Sequence, residues 1–230
     1  MLDQGLLDAV KSYSENMTRP ISFVIGTGEH EKKAELVDFL NQIAGTTDKI
    51  NFDAAATDDS LPSPISFKIT TEGQETGIVF SGIPGGHEFT SLILAILQAG
   101  GHTLKLDESI QKMVKRIGQP LQFQTYVSLS CHNCPEVVQA LNQFALLNDG
   151  ISNEMIDGGL FQEQVEANNI QGVPAVFLNG KPFLNGKVDT ARIIDKLQEQ
   201  YPDLLSAVSE DDAEQLERQD VTIIGGGPAG

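Results

Sequence analysis

The sequence predicts an α/β protein made of two tandem copies of one unit, packed together as a single domain. Three observations predict it. Apolar runs of strand length alternate with apolar residues at helical spacing. Both halves of the chain read in the same order, β-α-β-(α)-β-β-α. Three short stretches also recur in that order, roughly 100 residues apart, as an internal duplication would leave them.

In the first half, Ile21–Ile25 (ISFVI) reads as a strand. Leu36, Phe39, Leu40 and Ile43 lie at helical spacing, and Gly45 follows as a C-cap. Lys49–Phe52 is a second short strand. Ile65–Ile69 and Ile78–Phe80 form an antiparallel pair across turn residues. Glu88–Ala99 is an apolar helix stopped by Gly100 and Gly101. Ile110, Met113, Val114 and Ile117 mark another, ended by Gly118 and Pro120.

The second half repeats the pattern. Leu121–Leu129 is a strand, and Val137, Leu141, Phe144 and Ala145 form the apolar face of a helix. Ile151–Ile156 is a strand and Leu160–Asn168 a short helix. Ala175–Leu178 is a strand followed by the hairpin signal Asn179-Gly180. Asp189 or Thr190 caps a last helix containing Ile193, Ile194 and Leu197, which Pro202 stops. Pro20-Ile-Ser-Phe23 matches Pro120-Leu-Gln-Phe123, Leu40-Asn-Gln-Ile-Ala44 matches Leu141-Asn-Gln-Phe-Ala145, and Ser63-Pro64-Ile-Ser-Phe67 matches Val173-Pro174-Ala-Val-Phe177. This is the element order of a thioredoxin-like domain, with a sheet of mixed strand direction. The expected division is residues 1–118 for the first thioredoxin-like repeat and 119–202 for the second.

Composition narrows the function. The 230 residues carry a formal net charge of −17, which argues against nucleic acid or an anionic membrane as partner, because phosphate binding needs clustered Lys and Arg. The longest apolar run, Leu92–Leu97, falls far short of the roughly 20 residues of a membrane span. Asp3 and Asp8, with no early Lys or Arg, exclude a secretory signal at the start, and a cytoplasmic location is expected. Residues 199–220 hold eight acids against Arg218 alone. Within that stretch, 203–219 reads as a solvated acidic linker.

Residues 220–230, Asp220-Val-Thr-Ile-Ile-Gly-Gly-Gly-Pro-Ala-Gly230, are a buried-strand run followed by GxGxxG, with Gly225, Gly227 and Gly230 as the three glycines. Such a turn lets a pyrophosphate approach the backbone at a helix N-terminus. The helix that should follow is absent, so this is expected to be the truncated start of a Rossmann-type FAD domain that binds no cofactor in this chain.

The chemistry lies in the two cysteines, which make one CxxC motif, Cys131-His132-Asn133-Cys134, at a strand-to-helix junction before Pro135. Two cysteines are too few for the disulfide framework of a secreted domain. Proline suits the first helical turn. The helix N-terminus favours thiolate over thiol, which makes Cys131 the attacking sulfur and Cys134 the resolving one. The competing readings are an inert buried pair, or a zinc half-site completed by two of His30, His87, His102 and His132.

Pro174, just before an apolar strand, suits a cis bond, and the backbone at Val173 could then pair with an extended partner chain. The alternative is a trans proline opening an edge strand. Glu88 opens an apolar helix, either as a favourable charge at its N-terminus or as a proton donor or acceptor near Cys131. His87 reads either as a cation near the thiolate or, as most such histidines do, as a surface cap. His30–Ala34 occupies the place of the CxxC in the first repeat, which therefore exchanges no disulfides.

Together, Ser128-Leu-Ser-Cys-His-Asn-Cys-Pro135, Gly172-Val-Pro-Ala-Val-Phe-Leu-Asn-Gly180, Gly86-His-Glu-Phe-Thr-Ser-Leu92 and Gly225–Gly230 closely resemble one family, the flavoprotein subunit of bacterial alkyl hydroperoxide reductase. The resemblance covers essentially the whole chain, as the N-terminal part and linker of such a protein. It implies two contiguous thioredoxin-like folds with only the second redox-active, a C-terminal FAD- and NADH-binding reductase domain, and a peroxiredoxin partner. It also implies an acidic residue near the active thiols at the position of Glu88. His132, between the cysteines, is expected to meet the partner. The runner-up readings are a stand-alone double-thioredoxin disulfide oxidoreductase or isomerase, and a zinc-stabilised interaction module.

Overall fold

The structure is a computed structural model and describes residues 2–202. The proposed linker 203–219 and the glycines Gly225, Gly227 and Gly230 lie outside the described residues.

Each half places four strands in the same order. In the first, β1 (Ile21–Gly26) pairs parallel with β2 (Ile50–Asp58) and antiparallel with β3 (Ser66–Thr71), which pairs antiparallel with β4 (Gln74–Ser81). In the second, β5 (Leu121–Val127) pairs parallel with β6 (Ile151–Asp157) and antiparallel with β7 (Ala175–Leu178), which pairs antiparallel with β8 (Lys181–Asn185). The halves join edge to edge, β4 running parallel to β6 with Ile78 opposite Asn153 and Ser81 opposite Ile156. The result is one eight-stranded sheet, ordered β2-β1-β3-β4-β6-β5-β7-β8. Two of the three recurring stretches occupy equivalent places. Phe23 and Phe123 are buried on β1 and β5, while Leu40 and Leu141 are buried on the helices that follow those strands. The third is one residue out of register, since Ile25 pairs with Phe67 where Thr125 pairs with Val176, and Phe67 and Phe177 therefore lie on opposite faces of the sheet.

Helices α1 (Gln4–Ser14), α2 (Lys33–Ala44), α3 (Glu88–Ala99), α4 (Glu108–Arg116), α5 (Cys134–Leu147) and α7 (Thr190–Gln200) cover one face of the sheet, because alternation along the strands sends Phe23, Phe67, Phe80, Phe123 and Met155 to that side. The largest apolar cluster crosses the seam, with Leu92 and Ile96 of α3 beside Cys134 and Val138 of α5. On the opposite face Tyr126, Ile156 and Phe177 pack near α6 (Gln162–Ala167). The first half has no helix between β2 and β3. Its opposite face is correspondingly polar, with Lys68 on β3 paired to Asp58 and Glu75.

Three departures from the sequence reading have local causes. The segment read only for the absence of a signal forms α1, with the Asp3 carboxylate accepting a hydrogen bond from Gly5 N–H at 2.6 Å. Strand β2 runs past Phe52 through Asp53-Ala-Ala-Ala, residues of low strand propensity, because pairing resumes at Ile25–Thr57 after a bulge. Val114 and Ile117, at the C-terminal end of α4, are buried with Leu121 and Phe144 in the second half's cluster, so α4 packs with the second half.

Candidate functional site

Strand β5 ends at Val127, a short loop follows, and α5 begins at Cys134. Within the loop Cys131 N–H donates to Ser128 O at 2.9 Å, turning the chain so that Cys131 and Cys134 stand with Cα atoms 5.6 Å apart, joined as a disulfide. Pro135 sits in the first turn of α5, where its missing N–H costs nothing. Asn133 contributes no side-chain capping bond, so the positive end of the helix remains open towards the loop. The two sulfurs are unequal. Cys134 is fully buried in the cluster that spans the seam, while Cys131 is only partly covered. An approaching group therefore reaches Cys131 first.

Val173 stands against Cys131, its carbonyl oxygen 3.7 Å from Sγ. The Val173–Pro174 bond is cis, and Pro174 O accepts from Gly186 N–H at 2.8 Å, tying this loop to the end of β8. His132 lies exposed between the cysteines.

Glu88 is the first residue of α3, which packs beside α5 with Gln139 Nε2 donating to Ser91 Oγ at 3.3 Å. The Glu88 side chain is wholly buried, and neither carboxyl oxygen has a hydrogen-bond partner. Burial pushes its pKa from 4.5 up to about 7, and Ser91 nearby opposes part of the shift. A second buried acid, Asp157 at the end of β6 opposite Val127, is also raised by burial and lowered in part by the Gly159 N–H.

The loop leading into α3 touches the cysteine loop directly. His87 N–H donates to Leu129 O at 3.0 Å, and the rings of His87 and His132 meet with centroids 4.1 Å apart. His87 makes no side-chain cap to α3. The capping reading is thus replaced by a ring contact with the CxxC. Gly86, at φ 53°, lies where a Cβ would stand 2.4 Å from Leu129 O. Sequence reasoning placed His87 near the thiol only as an alternative and missed its contact with His132, for which the Gly85-Gly86 pair before it is the one local signal.

The first repeat keeps the same architecture without thiols. Lys33, at the start of α2, donates to Gly26 O and Gly28 O at 2.9 and 2.5 Å, and Pro64 lies beside Gly28 as Val173–Pro174 lies beside Cys131. Among the described residues no group of three or more His, Cys, Asp or Glu side chains is placed to hold a metal ion.

Residues 121–199 match the thioredoxin domain family. The whole chain is similar to the F component of alkyl hydroperoxide reductase from Pseudomonas aeruginosa, 43% identical over 233 residues that cover all of this chain and 43% of that protein. Among solved structures it is similar to the NTD_N/C domain of alkylhydroperoxide reductase AhpF from Enterococcus faecalis, with a TM-score of 0.78, 29% identity, and coverage of 86% of this chain and 100% of that one. The C503A mutant of AhpF from the same organism gives a TM-score of 0.76 at 30% identity, covering 85% and 99%. The chain spans less than half the length of the curated relative. With the fold, the paired cysteines and these likenesses together, the chain belongs to the AhpF family of alkyl hydroperoxide reductase proteins, as its N-terminal, thioredoxin-like region.

Proposed function

We propose that this chain is a dithiol–disulfide electron carrier, which passes two electrons to the disulfide of a peroxiredoxin and so supports peroxide removal. The observation that carries the reading is the unequal exposure of the two sulfurs at the start of α5: Cys131 is reachable beside Val173, and Cys134 is enclosed.

In the reduced protein the Cys131 thiolate attacks one sulfur of the partner disulfide, forming a mixed disulfide and releasing one partner thiolate. Cys134 then loses its proton and attacks Cys131 Sγ, which releases the second partner thiolate. The products are a partner dithiol and the Cys131–Cys134 disulfide. Two electrons have moved, and the partner's two thiolates take up two protons. Glu88, with its pKa near 7, is poised to exchange a proton with these thiols at neutral pH. The backbone at Val173, with Pro174, holds the partner chain in extended form, and His132 meets it at the rim.

In the intact protein the two electrons are supplied from NADH through FAD, whose motif at Gly225, Gly227 and Gly230 lies outside the described residues. The same reading divides the chain into repeats at 1–118 and 119–202, a tether at 203–219 and the start of the flavin domain at 220–230. Helix α4 falls within the first of these ranges but packs with the second half, and the location is cytoplasmic. Substitution Cys131→Ser tests the assignment: the reduced variant is expected to lose transfer to an oxidised peroxiredoxin by at least a hundredfold while keeping the parent's circular dichroism. Transfer within threefold of the parent overturns the choice of nucleophile.

A further inference from the structure

The two residues before Glu88 belong to the thiol-free repeat, yet they grip the cysteine loop on both sides of Cys131. On the N-terminal side, His87 N–H is bonded to Leu129 O, and Gly86 approaches that same carbonyl so closely that any side chain there would collide with it. On the C-terminal side, the His87 ring lies against the ring of His132. Both imidazoles are otherwise exposed, and neither is required by the packing of the core.

We propose that Gly86–His87 is a positioning clamp through which the first repeat sets the redox properties of the second. The inference rests on the reading of Cys131 and Cys134 as an exchanging pair. Closing a disulfide from two thiols is an intramolecular reaction, and its equilibrium depends on their effective concentration about one another. A loop held near the closed shape loses less conformational freedom on closure. The clamp is in place with the disulfide closed. It therefore favours the disulfide and makes the dithiol the stronger reductant. The same restraint speeds the attack of Cys134 on Cys131 Sγ and shortens the life of a mixed disulfide. His87 acts through the loop rather than on the sulfurs; it is a positioning residue.

The test is equilibration of the full chain with glutathione, in which each protein disulfide reduced consumes two glutathione thiols and yields one glutathione disulfide. His87→Ala is expected to shift this equilibrium about threefold towards the dithiol, a rise of about 14 mV in potential. It should also lengthen the life of the protein–glutathione mixed disulfide. His87→Phe, which keeps a ring against His132, is expected to return both readouts to the parent values. His132→Ala breaks the same contact from the other side and should match His87→Ala, with the double variant no worse than either single one. An unshifted equilibrium in His87→Ala overturns the clamp, as does failure of His87→Phe to rescue, or additivity in the double variant. If His87→Ala fails to fold, His132→Ala alone decides by the same shift. Glutathione replaces the peroxiredoxin throughout, so an error in the proposed partner leaves this result intact.

Discussion

A carboxyl group taken out of water and left without a hydrogen-bond donor keeps its proton to higher pH, and Glu88 is such a group. Its pKa is 4.5 when solvated and about 7 in the fold. Between these values the folded state binds more protons than the unfolded one. Stability contributed by this residue is therefore fully present below 4.5, falls as pH rises, and levels off above 7. The loss is on the order of 3 kcal/mol across that window. Urea unfolding at pH 4.5 and pH 8 should show the parent losing about that much more stability than Glu88→Gln; equal losses would show that Glu88 ionises as a solvated acid. At this scale much of the site is legible in the sequence. The cysteines, Pro174 and Glu88 each sit at a junction that local pattern reveals. The depth of Glu88 is not legible, since an acid in a first helical turn ordinarily faces water, and only the packing of α3 against α5 removes it. The His87–His132 contact is hidden for the same reason, joining residues of different repeats.

Helix and strand positions follow from periodicity wherever a face is buried, as for α3 with Leu92, Ala95, Ile96 and Ala99. They become illegible where pairing or a cap decides instead. Strand β2 continues through three alanines because β1 offers backbone partners beyond the bulge, and α1 rests on the Asp3 cap and a short apolar face. At α7 the sequence leaves two capping residues open. The structure selects Asp189, whose carboxylate accepts from Arg192 N–H at 2.8 Å. Asp189→Ala is expected to cost about 1 kcal/mol of stability in urea unfolding, and Asp189→Ser to cost much less. A neutral alanine variant would contradict the capping role.

Taken as a whole molecule, the two repeats share one sheet and one apolar cluster, and the redox site is built at their seam. Duplication is readable in the letters, because buried positions such as Phe23 and Phe123 constrain the same residue in both copies. The seam is not readable, because periodicity assigns strands without saying which edge of one unit meets the other. The parallel β4–β6 pairing joins the repeats, α3 packs beside α5, and His87 of one repeat meets the cysteine loop of the next. The central claim is that Cys131 makes the first bond to a partner disulfide and Cys134 the second. It is tested most directly by mixing reduced Cys134→Ser protein with an oxidised peroxiredoxin and mapping the product by mass spectrometry. The expected product is a long-lived mixed disulfide between Cys131 and a peroxiredoxin cysteine, dispersed by added dithiothreitol. Absence of that adduct under conditions where the parent reduces the peroxiredoxin would contradict the claim.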